Sequence, residues 1–207
     1  GKFEHCGIMH EQNLNDYSIT VDQTHYIGQL RPMADDSCKH MQPEELVSAE
    51  MQKTYMSLLG GVAWVVQTRP DAAVYVSALQ RRLQKPRAKD VLNLNRLLRY
   101  LKRKPLKVVY RRTASPWRLV AISDSAFQSH DQDCLALKSG IIALASKNLS
   151  GKVEVQPLEY LCKKQAHVCR SMYAAELHSG LDLVGLGILI NHALTETLTG
   201  TKSASTL

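Results

Sequence analysis

Apolar residues recur along this chain in two periods, and the change from one to the other divides it. Tyr55, Leu58, Leu59, Val62, Val65 and Val66 fall at i, i+3, i+4, i+7 spacing, which predicts a helix packed along one stripe. Leu94, Leu97, Leu98 and Leu101 repeat that spacing between Ala88 and Arg103. Beyond Pro116 the helical period gives way to short runs of strand length: Leu119 to Ile122, Ser139 to Ser146 and Val153 to Leu161. The turn-like stretch 147–152 separates the last two, so the three predict an antiparallel meander. A long helix is predicted from Ser171 to Glu196, with Tyr173, Leu177, Leu181 and Val184 marking its apolar face.

The remaining punctuation completes the outline. Lys2 to Met9 and Tyr17 to Val21 predict a hairpin, followed by a short helix from Gln23 to Leu30 and a polar linker from Met33 to Met41. Pro43-Glu44-Glu45 suits the first turn of the next helix, since Pro lacks a donor that is unused there and acids complement the helix dipole. Gly60-Gly61 lies inside that helix and reads as a point of close approach rather than a phosphate loop. Thr68-Arg69-Pro70-Asp71 ends it and starts another, because the residue before Pro disfavours the helical region. Three segments result: 1–42, 43–113 and 114–207, the last division falling near Ala114-Ser115-Pro116.

With 207 residues, the chain can bury one large core or two small ones. No run reads as long and uncharged enough to cross a bilayer and the N-terminus does not resemble a signal peptide, so the expectation is a soluble, intracellular protein. Five cysteines without close pairing argue against a disulfide framework. Cys38 with His40, and His167 with Cys169, each offer two metal ligands, short of a structural zinc site.

The net charge of +7 changes the picture once it is localised. Between Arg81 and Arg112 thirteen Lys or Arg stand against a single acid, Asp90, a balance of +12 that exceeds the charge of the whole chain. A solvated helix face would intersperse acids, whereas this concentration is the footprint expected of a polyanion partner. Arg81, Arg82, Lys85, Arg87, Lys89, Arg96, Arg99, Lys102 and Arg103 are the candidate phosphate contacts.

Candidate chemistry centres on Asp124, where the apolar run 119–122 emerges into the polar loop 128–133. An aspartate there is either a turn-forming cap or a ligand. Glu176, in the second turn of the long helix, is either an acid favoured by the helix dipole or the partner of Asp124. Two carboxylates held together without a cation raise one pKa, so a divalent metal is a natural occupant.

Tyr55-Met-Ser-Leu-Leu-Gly-Gly61, Thr68-Arg-Pro-Asp71 with Val76-Ser77, Leu97-Leu-Arg-Tyr-Leu-Lys102, Ser123-Asp-Ser-Ala-Phe127, Lys163-Lys-Gln165 and Ser171-Met-Tyr-Ala-Ala-Glu176 together resemble the C-terminal part of a copia-type LTR retrotransposon Pol polyprotein, in order and over nearly the whole chain. The loop after Phe127 departs from that pattern, carrying Lys138-Ser-Gly140 in place of a basic-Ser-Thr-Ser-Gly run, and Met172-Tyr173 replaces a Thr-led pair. The resemblance implies an α/β chain. In it, the end of a reverse transcriptase palm (1–42) is followed by a helical basic thumb/connection (43–113) and an RNase H-like mixed sheet with its long helix (114–207).

It further implies that Asp124 and Glu176 are catalytic and metal ligands, holding Mg²⁺ (or Mn²⁺) for two-metal hydrolysis of the RNA strand of an RNA/DNA hybrid. Such a chain would act in a cytoplasmic particle or the nucleus, beside the rest of its polyprotein. No paired-Asp polymerase motif occurs, so polymerase activity is not assigned. Later RNase H carboxylates would lie beyond Glu196, where Thr197 to Leu207 contains no acid, so the domain is expected to be incomplete and to cleave poorly. Asp182 is a poor substitute, since six positions on a helix turn it about 120° from Glu176. Two other readings stand beside this one. Asp124-Ser125-Ala126 resembles the triplet of retroviral aspartic proteases, and a basic bundle can persist as a noncatalytic nucleic-acid-binding remnant.

Overall fold

The computed structural model describes residues 1–34, 38, 40–112, 116–126, 135–147 and 151–200. It comprises two compact units, Gly1–Arg112 and Thr113–Leu207. Each mixes helices with a sheet, and among the described residues both sheets are antiparallel. A mixed sheet was expected in the second unit; the parallel partner it requires is not among the described strands.

The first unit opens on β1 (Lys2–His5) and β2 (Ile8–Gln12), where the sequence predicts one strand from Lys2 to Met9. The chain reverses at Cys6 and Gly7, with φ of +50° and +77°, the left-handed pair that a two-residue hairpin turn uses. Gly7 is required twice over, since a Cβ there would also lie 2.9 Å from Cδ2 of Tyr26. β3 (Ile19–Asp22) pairs with β2, and β4 (Val108–Tyr110) pairs with β3, setting Ile19 opposite Tyr110. Because β4 follows the last helix of the unit, it stitches segment 43–113 back onto segment 1–42.

Between those strands lie α1 (Thr24–Gln29), α2 (Ala49–Val65), a single 3₁₀ turn over Pro70–Ala72, α3 (Ala73–Gln80) and α4 (Ala88–Arg103). α2 begins later than Pro43-Glu44-Glu45 predicts. Glu45 instead folds back to accept the Gln42 N–H at 3.1 Å, and Ser48 caps the helix by accepting the Met51 N–H at 3.3 Å. Gly61 does permit close approach, as expected: a Cβ there would lie 2.9 Å from Cδ2 of Leu30. α4 runs between the limits its periodicity predicts, with Leu94, Leu97, Leu98 and Leu101 buried. Its fully buried Asn95 clamps the backbone of Met33 through two hydrogen bonds of 2.9 Å.

The second unit contains β5 (Trp117–Ala126), β6 (Leu137–Lys147) and β7 (Val153–Lys164) in the order β5-β6-β7, covered on one face by α5 (Met172–Thr199). The meander is therefore present, but α5 packs through a different face from the one its large residues predict. Ala175, Ser179, Leu183 and Gly187 are buried, while Tyr173, Leu177, Leu181 and Val184 are exposed. Gly140 sets this choice. A Cβ there would lie 2.8 Å from both methyls of Leu183, so the helix approaches the sheet where the strand has no side chain and the helix presents small ones. The large residues face outward, and α5 is the one described helix long and apolar enough to cross a membrane by length and composition. This differs from the expectation that no run is long and uncharged enough, because between Glu176 and Glu196 the only charged residue is Asp182.

The first unit is anchored by a charge that its sequence does not advertise. The Arg69 side chain is fully buried and forks onto Asp71, with Nε donating to Oδ1 at 2.9 Å and Nη2 to Oδ2 at 2.8 Å. Its remaining nitrogen, Nη1, donates to the carbonyls of Lys104 at 2.8 Å and Leu101 at 3.4 Å, so one guanidinium also satisfies the C-terminal end of α4. Tyr100 Oη donates to Asp71 Oδ2 at 2.9 Å. The hydrogen bonds from Arg69 hold the Asp71 carboxyl below its ordinary 3.8. Removing Asp71 strands a buried cation, whereas removing Arg69 leaves an acid that solvent partly reaches. Asp71→Ala is therefore expected to lower the urea unfolding free energy by about 3 kcal/mol, more than Arg69→Met does. The pair's contribution is complete above pH 3.8 and is lost as pH falls through the lowered carboxyl value, so below pH 3.8 the parent loses stability more steeply than Asp71→Ala.

Candidate functional site

The start of α5 is fixed before its carboxylate is placed. Ser171 caps the helix by accepting the Ala174 N–H at 3.1 Å. Buried Gln165 ties that end to the sheet: its N–H donates to Ala136 O at 2.8 Å, its Nε2 donates to Ala175 O at 2.7 Å, and its Oε1 accepts from Cys169 Sγ at 2.8 Å. Cys169 is thus a packing thiol bonded within this knot. Among the described residues no group of three or more His, Cys, Asp or Glu is arranged to hold a metal ion, and this includes the Cys38/His40 and His167/Cys169 pairs.

From that fixed start, α5 grips one peptide unit of β5. Glu176 Oε1 accepts the Ser125 N–H at a long 3.3 Å, and Ser179 Oγ donates to Asp124 O at 2.9 Å while also lying 3.3 Å from Ser139 O. Those two groups belong to the peptide that joins Asp124 to Ser125. β5 pairs only with β6 among the described strands, so Glu176 meets it at the open edge. Asp124 itself is exposed. Ser123 Oγ faces α5, 3.7 Å from where a Cβ on Gly180 would stand, and the two-residue period of a strand then turns Ser125 toward the helix and Asp124 toward the other face. The two acids flank one peptide rather than share one face.

Two features bear on whether a cation suits this place. Ser125 Oγ is buried with no hydrogen-bond partner, an orphaned oxygen beside Glu176. Neither Asp124 nor Glu176 pairs with a Lys or Arg among the described residues. The available donors are hard oxygens, which suit Mg²⁺ or Mn²⁺ in kind; in number they are few. Asp182 is committed elsewhere, to buried Lys138, whose hydrogen bond holds the Asp182 carboxyl below its ordinary value. The polar loop at 127–134 lies outside the described residues.

The basic window is partly spent on its own fold. Arg87 and Lys89 both pair with Glu44, and the Lys89 hydrogen bond draws the Glu44 carboxyl down. Lys102 Nζ donates to Leu30 O at 2.6 Å and Gly28 O at 3.2 Å. Asp90, the window's one acid, is buried and accepts the Arg87 N–H at 2.9 Å as part of the α4 cap. It does not dilute the surface charge. Arg82, Lys85, Arg96 and Arg103 are exposed, whereas Arg81 and Arg99 are half-buried. The sequence pattern places Glu44 in the first turn of a helix; in the structure it precedes α2, and its pairing with Arg87 and Lys89 joins residues too far apart along the chain for local pattern to show.

No family model matches this chain. Over 125 residues, 60% of the chain, it is 26% identical to the retrovirus-related Pol polyprotein from transposon RE1 of Arabidopsis thaliana. The matched stretch spans 8% of that polyprotein. This similarity supports a retroelement-derived protein, and more particularly an origin in a retrotransposon Pol polyprotein.

The grip on β5 has a local signature. Glu176→Ala is expected to speed hydrogen exchange at the Ser125 amide about tenfold, the effect of a hydrogen bond to a charged acceptor. Glu176→Gln, whose Oε1 still accepts, leaves that amide's exchange near the parent's.

Proposed function

We propose that this chain is a segment of a copia-type retrotransposon reverse transcriptase/ribonuclease H that engages RNA/DNA hybrid, with Asp124 and Glu176 as the acids of an RNase H-type hydrolytic site. The observation that carries the reading is the grip of α5 on the Asp124–Ser125 peptide, which sets Glu176 one residue along β5 from Asp124. The ordered motifs and the similarity to a retroelement polyprotein support it. Asp124, Glu176 and the orphaned Ser125 Oγ are the residues that would hold Mg²⁺ or Mn²⁺. The ion would supply Lewis-acid activation of water and charge stabilisation at the leaving oxygen. The chain's own part is to orient: the buried Gln165 knot fixes the start of α5, Glu176 holds the strand edge, and exposed Arg96 and Arg103 place a phosphate backbone.

A second reading, a noncatalytic nucleic-acid-binding remnant, is favoured by one observation, the lack of any three-ligand group among the described residues. It retains the basic surface and dispenses with the ion.

Two measurements separate these readings. Titrating Mg²⁺ to about ten times its Kd raises the thermal midpoint of the second unit by about 6–11 °C if the acids bind it, and Asp124→Asn abolishes the rise; an identical metal response in the mutant leaves Asp124 as an exposed strand residue and favours the remnant. Both readings require salt-sensitive binding of hybrid or duplex. Changing Arg96, Arg99 and Arg103 together to Ala is expected to flatten the log–log salt slope by up to about three units. An unchanged slope removes α4 from the interface.

A further inference from the structure

Residues of α3 and α4, with Asp71, line an open cleft of about 580 Å³ whose walls include Tyr75, Leu79, Arg96, Leu97 and Tyr100. Its composition sets it apart from the larger groove beside α2, which is lined by three methionines and two glutamates. Leu79 and Leu97 are buried beneath it, while Tyr75 stands 58% exposed and Tyr100 36% exposed at its sides. A tyrosine left that open on a helix contributes little to its own fold.

The other ring is held in place. Tyr100 Oη is fixed to Asp71 at 2.9 Å, and its ring lies 5.4 Å from the Arg69 guanidinium carbon and 5.9 Å from Lys104 Nζ. Arg96 is exposed at the margin, with Nη1 donating to Asn93 Oδ1 at 3.4 Å. The cleft thus combines an apolar floor, an open aromatic plane, a fixed aromatic wall and a cation at the rim; Asp71, the acid in its lining, is already bonded to Arg69 and Tyr100, and the α4 wall belongs to the most positive stretch of the chain.

We infer that this cleft takes an unstacked nucleobase from a single-stranded stretch of nucleic acid, the base lying on Tyr75 and its phosphate meeting Arg96. The inference deepens the nucleic-acid reading above and rests on it for the identity of the polymer. Charge selects an anionic ligand, and the exposed ring selects one that is planar as well: a stacked base gains from any aromatic face without needing base-specific hydrogen bonds. An acidic peptide would satisfy Arg96 and the surrounding charge but would leave Tyr75 without a use. A paired base inside a duplex has both faces occupied, so the cleft distinguishes an overhang or gap from a continuous helix, which the basic face of α4 does not.

The test uses the full chain and fluorescence anisotropy with two labelled RNA/DNA hybrids, one blunt and one with a short adenine overhang. The parent is expected to bind the overhang about tenfold more tightly than the blunt hybrid, in line with stacking of one base. Tyr75→Ala is expected to erase that preference while leaving blunt-hybrid affinity and salt slope unchanged, and Tyr75→Phe to retain it. Because Tyr75 is 58% exposed, equal thermal midpoints for parent and variants serve as the folding control. Equal binding of the two hybrids by the parent, or an equal loss on both in Tyr75→Ala, overturns the inference. Displacement of the overhang by polyglutamate as readily as by an oligonucleotide of equal charge also overturns it and assigns the cleft to acidic peptide. Failure to bind blunt hybrid while a single-stranded oligonucleotide still binds through Tyr75 would defeat the hybrid reading and leave the cleft assignment standing; failure to bind either defeats both.

Discussion

The second unit depends on the close approach of α5 to β6 at a position without a side chain. Gly140 lies under Leu183, with no room for a Cβ between them, and the contacts that α5 makes with β5 follow from where that approach sets the helix. Ser179, one turn earlier on the same face, is brought onto the Asp124 carbonyl, and Glu176, a further three positions back, is carried past the strand edge to the Ser125 amide. A larger residue at 140 would lift the helix and release both contacts at once. The same geometry explains the exposed side of α5. A helix selected for a thin packing face presents its bulky residues to the opposite side, and Tyr173, Leu177, Leu181, Ile188 and Leu189 stand there.

The first unit solves a different problem, the placement of many like charges on a small fold. A buried guanidinium is expensive unless its donors are matched, and Arg69 matches its own to a carboxylate and to two carbonyls at the end of α4. Glu44 pairs with two of the window's cations and offsets the charge of one, and the carbonyls that close α1 take a third. These contacts join elements distant in sequence, so part of the basic surface is structural cement. Lys85, Arg96 and Arg103 are among the window's exposed cations, and removing them would disturb these particular contacts least.

Much of the architecture was legible because periodicity carried it. α4 repeats leucine on one stripe and interrupts it with arginine on others, and its limits coincide with those the spacing predicts. β5, β6 and β7 were legible as apolar runs between turns. What escaped were features decided by single groups rather than by pattern: the reversal at Cys6-Gly7, the cap at Ser48, and the return of β4 to a strand nearly ninety residues earlier, roughly the separation at which local propensity says nothing. The packed face of α5 escaped for another reason. Apolar residues surround that helix, so hydrophobicity does not distinguish its faces, and steric fit to Gly140 does.

The candidate site was legible in part, and the limit is instructive. Position on a strand end and on a helix start singled out Asp124 and Glu176, and both elements exist, but no sequence argument says whether two side chains on crossing elements share a face. That depends on strand parity, and a shift of one residue reverses it. In the structure the helix side of β5 is occupied by Ser123 and Ser125, with Asp124 on the alternate side. The contact that joins the acids is therefore made through the backbone between them. The spacing of the two acids is fixed by a peptide plane, and neither pairs with a Lys or Arg among the described residues. The main chain there is held by hydrogen bonds to Glu176 and Ser179, while Asp124 is exposed to solvent. Rotation of the exposed Asp124 side chain leaves untouched the contact of the helix with Gly140, on which the unit depends.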